Sequence, residues 1–75
     1  MEAAGRTGPA PTEPLSSQDV ELLRLLAQGL PVGSVARRMR VSERTVRRRT
    51  RAICKRLGVG ASIQAVVWAA REGLF

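Results

Sequence analysis

The chain is predicted to fold as an all-α domain, and three observations carry that prediction. Apolar residues recur at three- and four-residue spacing along most of its length. Serines and glycines stand where helix starts and stops need them. No stretch alternates apolar and polar residues for long enough to make a strand, and no repeat at solenoid periods is present.

Four helices follow in order. Ser16 can cap the first, Asp19 stands at its third position, and Leu15 and Val20 are spaced as a hydrophobic staple. That helix should run from Ser17 to about Gln28, carrying Val20, Leu22, Leu23, Leu25 and Leu26, with Gly29 supplying a left-handed residue at its end. A short second helix is expected from Val32 to Met39, with Pro31 marking its first turn. Val35, Ala36 and Met39 face inward, Arg37 and Arg38 outward. Gly33 costs this helix about 1 kcal/mol relative to alanine, so it depends on packing.

After a turn at Arg40-Val41, Ser42 caps the third helix, Glu43 meets the positive end of its dipole, and Gly58 closes it. The fourth runs from Ser62 to Glu72, Ser62 capping where Ala61 cannot, with Gly73 as terminator and Leu74 and Phe75 folding back onto the apolar face. On its wheel Ile63, Val66, Val67, Ala70 and Leu74 cluster within about 60°, predicting an inward stripe, while Trp68 lies about 140° from Ile63 and points away from it.

Residues 1–14 hold three of the four prolines and no large apolar side chain after Met1, so they are expected to be a flexible tail or linker before a domain at residues 15–75. Seventy-five residues allow one small domain and no deep catalytic cavity. With no histidine and the single cysteine Cys54, zinc-ligand sets and histidine-based triads cannot be assembled, so neither an enzyme nor a cofactor is expected. Cys54, on the edge of the apolar stripe of the third helix, reads as a buried inert thiol. No apolar run reaches membrane-span length and no signal-peptide pattern opens the chain, so a cytoplasmic protein is expected.

The charge balance points to a partner. Thirteen basic residues against six acidic ones give a net charge of +7 and a pI near 11.7, which suits a polyanion. With Val46 set at 0°, Thr50, Ile53, Cys54 and Leu57 fall between about −20° and +80°, while Arg47, Arg51, Arg44, Lys55 and Arg48 fall between about 100° and 200°. One face is apolar and the opposite face carries five cations. Such cations repel one another along a free helix, and Glu43 with Arg47 is the one helpful pair. A solvated surface is usually of mixed sign, whereas ten bases and one acid lie between Arg37 and Arg56. A short helix, a tight turn and a capped helix with a one-sided arginine stripe is the layout of a helix-turn-helix.

These residues also resemble a known family. Leu15 through Phe75 is similar to the LuxR-type (GerE-type, FixJ/NarL-like) helix-turn-helix domain of bacterial transcription regulators, in L-S-S-x-x-x-E-L-L-x-L-L-A-Q-G, V-A-R-R-M-x-V-S-E-R-T-V, L-G-V and Q-A-V. The resemblance implies a four-helix domain with Glu21 in helix 1. It implies that Thr45 and Val46 open the recognition helix, that the positions of Arg47, Arg48 and Arg51 meet bases and phosphates, and that the fourth helix dimerises on DNA. Three departures stand out: Arg47-Arg48-Arg49-Thr50 in place of Lys-x-His and an aliphatic residue, Pro31 in place of a serine cap, and Ala61 in place of a Ser or Thr cap.

The expected function is sequence-specific binding of double-stranded DNA for transcription regulation at the nucleoid, with a recognition helix at about 43–57 in the major groove and a homodimer on a two-fold operator. Arg44, Arg47, Arg48 and Arg51 are candidates for base edges or nearby phosphates. Thr45 joins the DNA-binding set, Arg37, Arg38, Arg49, Lys55 and Arg56 are expected phosphate clamps, and Trp68, Ala65 and Ala69 are the expected dimer contacts. The competing reading is a docking module whose basic face meets RNA polymerase or another regulator. An anionic-membrane binder fits less well, because the most charge-asymmetric helix keeps its apolar stripe for the core.

Overall fold

The computed structural model describes residues 15–75 and folds them as α1 (Ser17–Ala27), α2 (Val32–Met39), α3 (Glu43–Leu57) and α4 (Ser62–Arg71), with no strand among the described residues. The tail expected at residues 1–14 lies outside them.

The helix ends follow from local chemistry. Ser16 Oγ accepts from the Asp19 amide at 3.1 Å while Asp19 Oδ2 accepts from the Ser16 amide at 3.1 Å, a reciprocal pair that satisfies two donors with no helical partner. Pro31 caps α2 without a side-chain bond; its carbonyl accepts from the Ser34 and Val35 amides, each at 3.0 Å. The α2–α3 turn passes through Arg40 at φ 60°, ψ 44°, a left-handed conformation that costs a side chain other than glycine roughly 1 to 2 kcal/mol. The turn is locked by the Val41 amide donating to the Ala36 carbonyl at 3.0 Å. Ser42 Oγ accepts from the Thr45 amide at 3.0 Å to start α3, and Gly58 at φ 71° ends it.

Helix α4 starts differently from expectation. Ser62 is its first helical residue and makes no cap; instead Gln64 Oε1 accepts from the Gly60 and Ala61 amides at 2.8 and 3.0 Å. The side chain at the third position supplies half of a capping box whose other half Ala61 lacks.

Leu22, Leu23, Leu25, Val35, Ala36, Val46, Ile53, Ala65 and Ala69 form one buried core shared by all four helices. Helix α3 packs on both α2 and α4, and α1 closes the other side against α4. Thr50, which replaces an aliphatic residue on the α3 stripe, donates its hydroxyl to the Val46 carbonyl at 2.8 Å, so this half-buried polar group is satisfied within its own helix. Cys54 is half-buried at the edge of the core.

The face of α4 is the main correction. Ala65 and Ala69 are 0% exposed and point inward, whereas Ile63 at 64% and Val67 at 42% face out, with Ala70 also exposed. The expected stripe follows bulk, but α4 approaches its neighbours through two of its three alanines, Ala65 and Ala69, which bring helix axes close. Ala65 and Ala69 therefore offer no surface to a second copy. Trp68 is half-buried and packs against the core, contrary to its expected outward direction. Leu74 folds back as expected, its amide donating to the Ala69 carbonyl at 3.0 Å, but Phe75 stays 42% exposed.

Candidate nucleic-acid interface

Helix α3 is fixed by its inward residues: Val46 and Ile53 are 1% exposed, and Cys54 and Leu57 pack beside them. Because these occupy one face, the geometry of a 3.6-residue helix turns Arg44, Arg47, Arg48, Arg51 and Lys55 out together, and all five are exposed. Arg37 and Arg38 are exposed on the last turn of α2. Exposed cations are thus carried on both α2 and α3, which the turn at Arg40-Val41 joins.

Individual side chains differ in how free they are. Thr45 is half-buried and engaged locally, since its Oγ1 accepts a hydrogen bond from the Ser42 hydroxyl at 3.0 Å while its amide is held by the same oxygen. Arg47 Nη2 donates to Glu43 Oε1 at 3.2 Å. Arg37 Nη2 donates to the Ser34 hydroxyl at 3.3 Å. Arg49 is half-buried and, with Gln18, Glu21, Arg38, Met39 and Val41, lines a shallow groove between α1 and the α2–α3 turn. It stands to one side of the five-cation face rather than within it.

Arg56 departs further from its expected role as a phosphate clamp. Its Nη1 lies 3.7 Å from Asp19 Oδ2, a carboxylate only 15% exposed that also completes the α1 capping box. Arg56 thus ties the last turn of α3 to the first turn of α1. The signal was present in the sequence only as two charges far apart along the chain, and pairing them required the fold.

A second feature lies on α4. Val59, Ile63, Gln64, Val67, Trp68, Arg71 and Glu72 line an open, largely apolar groove. Sequence reasoning missed Ile63 and Val67 as surface residues because it had placed them in the core.

Comparison with known proteins identifies the family. The family model described as "Bacterial regulatory proteins, luxR family" matches residues 13–69. The "Nitrate/nitrite response regulator protein NarL" of Escherichia coli K12 is 33% identical over 61 residues, covering 81% of this chain and 28% of the relative. The "Probable HTH-type transcriptional regulator GfsR" of Streptomyces halstedii is 41% identical over 73 residues, covering 95% of this chain and 30% of the relative. The chain spans less than a third of the length of either.

Proposed function

The chain belongs to the luxR family of bacterial regulatory proteins, as a DNA-binding transcription-regulator domain, and we propose that it reads double-stranded DNA by laying α3 in the major groove as one half of a homodimer. The observation that carries the reading is the exposed face of Arg44, Arg47, Arg48, Arg51 and Lys55 directly opposite the buried Val46 and Ile53. A helix so divided can enter the groove without disturbing the core that holds it. Its N-terminal turns come nearest to the base edges, where arginine pairs bidentately with guanine, and its last turn reaches only the backbone.

The groove on α4 supports the dimer. Ile63 and Val67 are exposed apolar side chains on one helix face, and a two-fold axis through that face would bury each against its own copy. Two recognition helices so paired would meet half-sites about one turn of DNA apart, which calls for an operator with matching two-fold symmetry. In a bacterium such a domain would act at the nucleoid.

Selection on random duplexes, followed by affinity measured across a range of salt, tests the reading. The expected outcome is a palindromic preferred site and a slope of log K against log salt near −7, from on the order of eight phosphate contacts per dimer. A slope near −1 with no preferred sequence would overturn it in favour of a basic face docking on an acidic protein such as RNA polymerase.

A further inference from the structure

Glu43 is the one acid among the ten bases between Arg37 and Arg56, and it stands in the first turn of the helix that carries the cationic face. On electrostatic grounds alone it weakens attraction to phosphate. Its surroundings show what it does instead. Oε1 accepts the hydrogen bond from Arg47 Nη2 at 3.2 Å, one turn further along α3. Oε2 reaches back over the first turn of α2, where a Cβ built on Gly33 would lie 3.0 Å from it and 4.0 Å from Arg37 Nη1. The carboxylate lies over Gly33, where an added Cβ would press on Oε2 and move this exposed side-chain end by a few tenths of an ångström.

Gly33 has no backbone reason to be glycine: it lies inside α2 and outside the left-handed conformations of Gly29, Gly58 and Gly73. Alanine is a better helix former than glycine at such a position. Glycine lets the Glu43 carboxylate keep this seat without the small shift that a Cβ would impose.

We propose that Glu43 is a positioning residue for sequence reading, holding Arg47 in one orientation on α3, with Gly33 beneath its carboxylate. The proposal rests on the reading of α3 as the recognition helix. An untethered arginine reaches phosphates as readily as bases, and must lose its rotamer freedom on each productive contact. A tethered one loses less and reaches fewer wrong partners. Glu43 thus lowers affinity for every duplex while raising the difference between the right one and the rest.

The test uses the 75-residue chain, its selected duplex, that duplex with single base changes, and a random duplex. Glu43→Gln is expected to bind the random duplex more tightly and to lose discrimination by about two- to fivefold, the equilibrium equivalent of an exposed ion pair. The loss should fall at the base position where Arg47→Ala loses discrimination, and the double variant should lose no more than Arg47→Ala alone. Gly33→Ala keeps every charge, so it should leave random-duplex affinity and helical content unchanged while losing discrimination by about twofold at that position. Equal gains for Glu43→Gln on every duplex, with discrimination intact, would overturn the proposal and leave Glu43 as a repelling charge only. A chain that selects no duplex overturns the functional reading and this one with it.

Discussion

Among single residues, Arg48 and Lys55 would divide the work of the cationic face most clearly if α3 reads DNA as proposed. Arg48 lies at about 200° on the α3 wheel, opposite the middle of the Val46, Ile53 and Leu57 stripe, and in the second turn of the helix. Lys55 shares its face two turns later. Neither is needed by the core, so helical content should stay constant in Arg48→Ala and Lys55→Ala. Arg48→Ala is expected to cost about 1 to 3 kcal/mol on the selected duplex and to relax preference at one base position, whereas Lys55→Ala should weaken all sequences alike. A panel of single-base changes distinguishes them, and uniform losses for Arg48→Ala would make it a phosphate contact. Arg56 belongs to a different class. Its partner Asp19 is largely buried while its own side chain is 54% exposed, so solvent screens part of the pair. Arg56→Met should lower the melting temperature by a few degrees, in keeping with an ion pair worth about 1 kcal/mol at most. The salt dependence of DNA binding should not change, and a slope shallower by about one contact would return Arg56 to the phosphate clamps.

At the scale of the element, α4 starts without a side-chain acceptor at its N-cap. Ala61 holds the extended cap conformation at φ −148°, ψ 153°, and Gln64 already reaches back to the Ala61 and Gly60 amides. The Gln64 amide donates only to the Ala61 carbonyl, at 3.0 Å, and Ala61→Ser offers it a side-chain acceptor as well, which should stabilise the domain by about 1 kcal/mol and raise the melting temperature by roughly 4 to 8 °C. Thermal unfolding by circular dichroism reads this directly; no gain would mean that Gln64 alone satisfies the turn. The start of α1 and both ends of α3 were legible in the sequence because Ser16, Ser42 and Gly58 act within a few residues of themselves, through bonds that local spacing fixes. The opposed faces of α3 were legible for a related reason, since its apolar and charged residues differ so strongly that only one orientation buries the right set. Helix α4 offered no such contrast. Ile63, Val66, Val67, Trp68, Ala65, Ala69 and Ala70 make it apolar nearly all round, and the choice of inward face was settled by how closely α1 and α3 could approach it. Gln64 could have been found, as the second half of a capping box whose first half is missing. Glu43 against Gly33 could not, because that contact joins two helices across a turn held by Arg40 in a left-handed conformation.

For the molecule as a whole, the inward alanines serve the core, and under the proposed dimer the outward Ile63 and Val67 of the same helix would serve assembly. Ala65 is 0% exposed in a core where α4 lies close against α1 and α3, so Ala65→Leu would force added volume between packed helices and should destabilise the monomer by about 1 to 3 kcal/mol. Trp68 is half-buried against the core and also lines the groove, so under the proposed dimer Trp68→Ala should lower both stability and dimerisation. Val67 is the cleaner probe, since at 42% exposure it contributes more to the groove than to the core. Val67→Asp places a charge where a two-fold contact would remove it from water, at a cost that an isolated domain would not feel. The expected result is an unchanged melting temperature and unchanged affinity for a duplex carrying one half-site. On a duplex carrying two, binding should weaken about tenfold, equivalent to about 1.4 kcal/mol, with loss of cooperativity. Sedimentation and titration on the two duplexes decide it: full cooperativity in Val67→Asp would show that the second copy binds elsewhere, and an unfolded variant would place Val67 in the core after all.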